Sequence, residues 1–425
     1  MTAEASSPPS RLSVTSWVVY DLANTIFALG VVGLYFSDWL VANGLPDYYL
    51  AAVQVGAAGV VIFLAPWAGA RSDVTGTRIP ILVLTTVVAV AATATLALGP
   101  VWLTLVMLWL AVVSVNTGSV VYDALLVEVS TPENRGHVSG LGVGVGYLGS
   151  FLGLGIGLLT LDVLGWGYGA TFRTIAAAFL LFAMPAFFFI DERVVPSPGP
   201  LPGLGDIAHR IIQSWRTARR HRGVVRFLVG RFLYTDAINT LIGGFLAIFV
   251  LDELGLDRRF LSALLGLAIT AAVVGGLAAG PVIARNGPLR VLRWVLVMWV
   301  AAISSGIAAA MTGHIGLAWL IGPVGGLALG ATWASDRVVM TRISPPPHLG
   351  EFYGLYATVG RFATIAGPLV WALVVDGIGA PRSAAMAVLG GFVLTGWWIL
   401  GDVDDTERQW QHQAVEGAAP PRASQ

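Results

Sequence analysis

Asp21-Leu22-Ala23-Asn24-Thr25 returns 215 residues later as Asp236-Ala237-Ile238-Asn239-Thr240. Ser130, Pro132, Gly136, Gly140 and Leu141 return at Ser344, Pro346, Gly350, Gly354 and Leu355, at an offset of 214. Gly69 and Gly76 return at Gly280 and Gly287, at an offset of 211. Three matches at nearly one offset, each at the same place in its half, mark a tandem repeat. Apolar runs long enough to cross a bilayer, roughly 20 residues each, fall near 14–41, 48–70, 79–98, 102–128, 138–161, 171–190, 225–250, 260–284, 290–311, 315–341, 351–375 and 382–401. They are continuous rather than alternating, so the spans are helices and not barrel strands. The expected fold is an all-α membrane protein of twelve transmembrane helices. Both six-helix repeats begin on the same side, so they are parallel repeats about an axis along the membrane normal.

The composition agrees. Of 425 residues, 56% are hydrophobic and 11% charged, against about 25% charged in soluble domains. The 24 acidic and 24 basic residues cancel, and every basic residue is Arg. With no lysine, Schiff-base chemistry and a P-loop lysine are excluded. With no cysteine, disulfides and thiolate sites are excluded too. The six histidines form no metal-spaced pair, and no cofactor is implied. Net charge is zero and the one dense basic run sits in a linker, so no nucleic-acid partner is expected. The first apolar run is too long for a cleaved signal and reads as a retained span.

Arginine placement orients the chain. Arg71, Arg78, Arg135, Arg193, Arg285, Arg290 and Arg342 fall on one side if spans alternate, while Arg258, Arg259 and Arg382 fall on the other. Both termini are therefore expected in the cytoplasm, with the bacterial plasma membrane as the expected location. The expected organisation is a six-helix half over 1–190, a linker over 191–224, a second half over 225–402 and a tail over 403–425. In the linker, Ile207, Ile211, Trp215 and Ala218 make an amphipathic stripe of the kind that lies on a membrane surface.

The loop Gly69-Ala-Arg-Ser-Asp73-Val-Thr-Gly76-Thr-Arg78 resembles the G-x-x-x-D-R-x-G-R-R signature of major facilitator transporters. The match holds at Gly69, Asp73, Gly76 and Arg78, while Val74 and Thr77 depart from it. The resemblance implies that Asp73 latches the halves on the cytoplasmic side, with Arg135 a candidate partner. The second copy has Ala284 at the aspartate position, so one such latch is expected. Trp17-Val-Val-Tyr20-Asp21-Leu-Ala-Asn24-Thr-Ile-Phe-Ala28 is similar to the opening of the vacuole-effluxer-like branch of that superfamily. Pro132-Glu-Asn-Arg135-Gly-His-Val-Ser-Gly-Leu-Gly142 and Arg231-Phe-Leu-Tyr234-Thr-Asp236 fit the same branch. Its fungal members export amino acids from the vacuole, so the resemblance implies a transporter without fixing the solute.

Charges inside spans are costly and mark function. Asp21 lies in span one, and Arg231 and Asp236 in span seven. Asp123 ends span four, Asp336 and Arg337 end span ten, and Arg361 lies within span eleven. Trp17, Asp21, Asn24, Ala28, Val31, Tyr35 and Asp38 share one helical face, which is expected to line a central cavity opposite Asp236, Asn239 and Gly243. Tyr20, Asp21, Asn24, Asp236, Asn239 and Arg361 are the candidates for substrate contact or proton coupling. Asp73, Arg78, Arg135, Arg231, Asp123, Asp336 and Arg337 are the candidates for gating ion pairs. Asp21 reads as a coupling or substrate-contact group, the alternative being a structural pair. Asp236 reads as one half of an ion-pair gate with Arg231. A guanidinium cannot be neutralised, so Arg361 must meet either a substrate carboxylate or Asp21 or Asp236. Asp38 and Asp252, near the outer ends, read as solvated. The eight glycines between 140 and 157 read as a close-packing surface.

The expected activity is secondary transport of a small polar solute, such as an amino acid, by alternating access with proton coupling. The rivals are a lipid or amphiphile translocator and an uncoupled facilitator. An ATP-driven pump lacks its nucleotide motif, and an intramembrane protease lacks its second aspartate motif. The partners expected are solute, protons and lipid, with the chain acting as a monomer.

Overall fold

A computed structural model describes residues 9–131, 134–192, 203, 205–206, 212, 215–216, 218–219, 221–344 and 349–405. The helices are α1 (Arg11–Ala42), α2 (Tyr48–Thr75), α3 (Ile79–Ala94), α4 (Val101–Leu125), α5 (Val138–Val163), α6 (Tyr168–Phe189), α7 (Gly223–Glu253), α8 (Arg258–Asn286), α9 (Pro288–Thr312), α10 (Ile315–Ile343), α11 (Gly354–Gly377) and α12 (Arg382–Leu400). Eleven are long and apolar enough to cross a bilayer; α3 is a shorter apolar helix. It stops at Ala94 because the chain turns over, with Ala97 at φ 57 and Pro100 ahead of α4. The linker residues Ile207 and Ile211 and the tail beyond 405 lie outside the described residues.

Packing within the first six helices recurs in the last six. The pairs α1–α5, α1–α6, α2–α4, α3–α4 and α3–α6 have counterparts α7–α11, α7–α12, α8–α10, α9–α10 and α9–α12. The two sets meet along α1–α7, α2–α11 and α5–α8. This is the parallel-repeat architecture of the major facilitator fold.

The glycines of α5 explain its closeness to α1. Gly142 faces the Trp17 ring, Gly146 the Asp21 carboxylate, Gly149 the Leu22 backbone, Gly153 the Ile26 carbonyl and Gly30, and Gly157 the Tyr35 ring. A Cβ at any of them would collide, so backbone meets backbone. Nothing lies within 4 Å of a Cβ at Gly140, Gly144 or Gly155.

Three helices are irregular where they flank the centre. α1 widens into π turns over Ala28–Tyr35. α7 breaks at Gly244, whose φ of 112 is open to glycine. α11 is interrupted at 363–365, between Leu349–Phe362 and Ala366–Ala372. Such breaks are tolerated at membrane depth where they are buried or line a cavity.

Candidate functional site

Between the halves lies a cavity of about 530 Å³, within the range of metabolite-sized sites. α1 contributes Thr25, Ala28, Val32 and Gly33, and α7 contributes Asn239, Ile242, Gly243 and Leu246. Gln54, Asn116, Tyr147 and Ser150 add polar groups from the first half. Arg361 and Thr364 come from the broken part of α11. Among the described residues, Arg361 is the one charged side chain of the lining.

The α11 break sets the position of Arg361. Asn239 donates to the Ala363 carbonyl at 2.8 Å, replacing a lost helical bond. Asp236, fully buried, accepts from the Gly367 amide at the start of the next helical piece. This is a capping role: the free amides at a helix start favour a carboxylate. Asp236 is thus inside the second half and is not part of the lining.

The expected Arg231–Asp236 pair is not formed. Five residues on a helix turn about 140° past one full circle, so the two side chains leave opposite sides of α7. Arg231 instead reaches Asp336 of α10 at 3.1 Å. It also donates to the Tyr356 carbonyl at 3.0 Å, and its guanidinium stands 3.7 Å from the Tyr356 ring centroid. The Tyr356 hydroxyl donates to the other Asp336 oxygen at 2.9 Å. This cluster joins α7, α10 and α11 within one half and does not bridge the halves.

The polar stripe of α1 is turned towards α5 rather than along the cavity; of its members, Ala28 alone is in the lining. The close approach allowed by the α5 glycines, and the change of phase in the π turns, produce that turn. Trp17 donates to the Tyr122 carbonyl at 3.1 Å, and Tyr35 to the Leu154 carbonyl at 2.6 Å. Tyr20 is buried, 2.6 Å from the Thr86 hydroxyl and stacked on Tyr122. Asn24 is half-buried one turn beyond Asp21. Asp21 is half-buried against Gly146, one turn short of Thr25.

Asp21 and Asp123 of the first half face Arg337 and Arg361 of the second. Asp21 acts electrostatically on Asp123 and Arg337, and Asp123 on Arg361 and Arg337. The expected permanent partner of Arg361 is missing: among the described residues, no carboxylate lies within 4.0 Å of its guanidinium.

The two ends of the bundle differ. At the arginine-rich end, Arg78 pairs with Glu128 at 2.7 Å and with Asp73 at 3.4 Å. Glu192 accepts from the Ile79 amide at 2.9 Å. These bonds stay within the first half, and among the described residues Asp73 meets no partner from the second half. The side chain of Arg135 lies outside the described ones.

At the opposite end, the halves are bolted together. Arg258 of α8 meets Asp38, Asp162 at 2.9 Å and the Tyr168 hydroxyl at 2.9 Å. Arg382 of α12 makes two bonds of 2.8 Å to Asp47, which also accepts from Trp371 at 2.8 Å. Asp38 is therefore not solvated: it is 6% exposed, because it neutralises Arg258. Asp252 pairs with Arg382 as well but stays exposed, as expected from its place in the sequence. Gln54 bonds to the Gly243 carbonyl beneath this bolt.

Sequence reasoning used Arg258 and Arg382 for orientation alone and passed over Asp47 and Gly244. A signal was present: Arg258, Arg259 and Arg382 share their end of the bundle with Asp38, Asp47, Asp162, Asp252 and Asp257, which makes it the acidic face.

A family model described as vacuole effluxer Atg22 like matches residues 127–411. YxiO of Bacillus subtilis, described as an uncharacterized MFS-type transporter, is 24% identical over 401 residues, covering 89% of this chain and 92% of that protein. Autophagy-related protein 22 of Neurospora crassa is 26% identical over 315 residues, covering 66% of this chain and 42% of its own length. Among solved structures, the nucleoside transporter NupG superposes with a TM-score of 0.67 at 10% identity, covering 93% of this chain and 99% of that one. A D-xylose–proton symporter superposes with a TM-score of 0.67 at 14% identity, covering 92% and 97%. At such identities these two structures speak for the fold alone.

Proposed function

The chain belongs to the vacuole effluxer Atg22-like family of major facilitator transporters, and from that premise we propose that it moves a small polar solute by proton-coupled alternating access. The observation that carries this reading is the central cavity, bolted at one end by Arg258 and Arg382. A bolt there fits a state whose cavity is reached from the opposite, arginine-rich face. Arginine placement makes that face cytoplasmic. The second state would release the bolt and close the arginine-rich end. Asp21 and Asp123 would then approach Arg337 and Arg361, and Asp73 would latch.

In this scheme Asp21 is the coupling group. It is a half-buried carboxylate without a hydrogen-bond partner among the described residues, beside the route into the cavity. A proton taken up there removes the negative charge that the second half's arginines attract. The description of the matching family, a vacuole effluxer, supports export, and the resemblance of the α1 motif to that branch supports an amino acid or related metabolite as solute. The halves 1–190 and 225–402 are the rocking bodies, and 191–224 is the strap between them.

The test is uptake of labelled solutes into proteoliposomes with and without a pH gradient. Asp21→Asn is expected to abolish gradient-driven accumulation while sparing counterflow exchange. Unchanged accumulation in that variant defeats the coupling assignment. An absence of solute flux together with lipid movement would turn the reading to a lipid translocator.

A further inference from the structure

The geometry points to an organic monoanion with an apolar body, rather than a zwitterion, as the ligand of the central cavity, its anionic group held by Arg361 and Tyr147. This inference rests on the transporter reading and departs from its amino-acid solute.

The argument starts from what the lining leaves unspent. Much of its polar inventory is already engaged with backbone. Gln54 donates to the Gly243 carbonyl, Asn239 to Ala363, Asn116 to Val112 and Thr25 to Asp21. The Arg361 guanidinium and the Tyr147 hydroxyl have no hydrogen-bond partner among the described residues, and both belong to the lining. Guanidinium is a donor in all its polar atoms, and its planar fork matches a carboxylate with two parallel bonds. A phenol adds one more donor. The two residues stand 214 positions apart, at corresponding places in α5 and α11. One half therefore offers the cavity a fixed positive charge and the other a neutral donor.

No described lining residue is acidic. An amino acid brings an ammonium group; the described lining offers it neutral acceptors, the side-chain oxygens of Gln54, Asn116 and Asn239, but no carboxylate to balance its charge once removed from water. Asp236 is held at the α11 break, and Asp21, one turn from Thr25, is not part of the lining. Asp123 acts on Arg361 from beyond 4.0 Å, so the arginine is attracted but not occupied. The remaining wall is hydrocarbon: Leu29, Val32, Val115, Leu265, Ile269 and Leu329 among others. A wall of that kind favours an apolar body over a polyhydroxylated one.

The experiment measures thermal melting of the purified full-length chain in detergent with four probes. These are 3-phenylpropanoate, phenylalanine, phenethylamine and propanoate. The first three share one apolar body and differ in head group; the last keeps the anion and loses the body. Saturable stabilisation is expected from 3-phenylpropanoate, with phenylalanine weaker by about tenfold or more and no shift from phenethylamine or propanoate. Arg361→Gln is expected to abolish the shift, and Tyr147→Phe to weaken it while leaving the unliganded melting point in place. Equal stabilisation by phenylalanine overturns the inference, as does a shift retained in a folded Arg361→Gln protein, or no shift with any of the four. If Arg361→Gln does not fold, Tyr147→Phe decides alone: an undiminished shift there overturns the inference. Failure of the transporter reading shows separately. The chain has no cysteine, so single cysteines at the lining residues Ala28 and Val32 can be labelled from each face without any ligand. A protein locked in one state defeats transport; one that alternates but binds phenylalanine defeats only the anion.

Discussion

Arg258 at the start of α8 bonds to Asp38 at the far end of α1, tying the second half of the molecule to the first. The same guanidinium takes Asp162 from the end of α5. One cation thus balances two carboxylates from one half, and its removal leaves both together without a counter-charge. Breaking such a partly buried pair from one side costs up to about 3–5 kcal/mol, less here because the Arg258 side chain is 24% exposed. Arg258→Ala is expected to open this end. A cysteine at Asp162's neighbour Leu161 should then react several-fold faster with an impermeant maleimide added from the acidic face. An unchanged rate would show that Arg382 and Asp47 hold the end closed without it.

Arg231 and Asp336 are a different kind of pair, with side chains 6% and 0% exposed and both partners in one half. Arg231→Gln is expected to destabilise the purified protein by about 3–5 kcal/mol, since a buried carboxylate is left uncompensated. Arg231→Met with Asp336→Leu should lose much less than the sum of the two single changes. Denaturant or thermal melting in detergent distinguishes these outcomes. Additive losses would mean that the pair does not act as a unit.

The sequence made the architecture legible because two signals that survive any packing were present: span length and repeat offset. The glycine surface of α5 was legible as well, since glycine at helical spacing has few other uses in a span. What was hidden were choices between faces. Trp17, Asp21 and Tyr35 lie in a polar stripe that periodicity directs to the cavity, yet α5 offers an equally good partner in the hollows at Gly142, Gly146 and Gly157. Arg231 and Asp236 are near in sequence, and only the break in α11 shows that Asp236 is wanted by the Gly367 amide. The exposed-looking Asp38 needed the position of Arg258, 220 residues away, to become buried.

Gly244 should resist replacement. Its φ of 112 is closed to L side chains, and a Cβ there would meet the Ser37 hydroxyl across the α1–α7 contact. Gly244→Ala is expected to cost about 1–3 kcal/mol in the conformation bolted by Arg258. The same change would be cheaper wherever α1 and α7 separate. Labelling of a cysteine at Val32 from the acidic face should therefore increase. Unaltered labelling with lowered melting temperature would locate the strain in the fold rather than in the bolt.

The α5 glycines allow a matched comparison. Gly149 presses on the Leu22 backbone and Gly157 on the Tyr35 ring, whereas Gly144 and Gly155 face open space. Alanine is the better helix former by about 1 kcal/mol, so propensity alone predicts a gain at all four sites. Packing predicts a split. Gly149→Ala and Gly157→Ala should push α1 and α5 apart and cost about 1–3 kcal/mol, as overpacking does. At Gly157 the Tyr35 ring can give a little, but doing so loosens its 2.6 Å bond to the Leu154 carbonyl. Gly149 meets carbonyl and Cα atoms that cannot give, so it should be the costlier of the two. Gly144→Ala and Gly155→Ala should be neutral or stabilising by up to about 1 kcal/mol. Melting of the four single variants in one detergent checks the order, and a loss at Gly144 as large as that at Gly149 would contradict the α1–α5 contact itself.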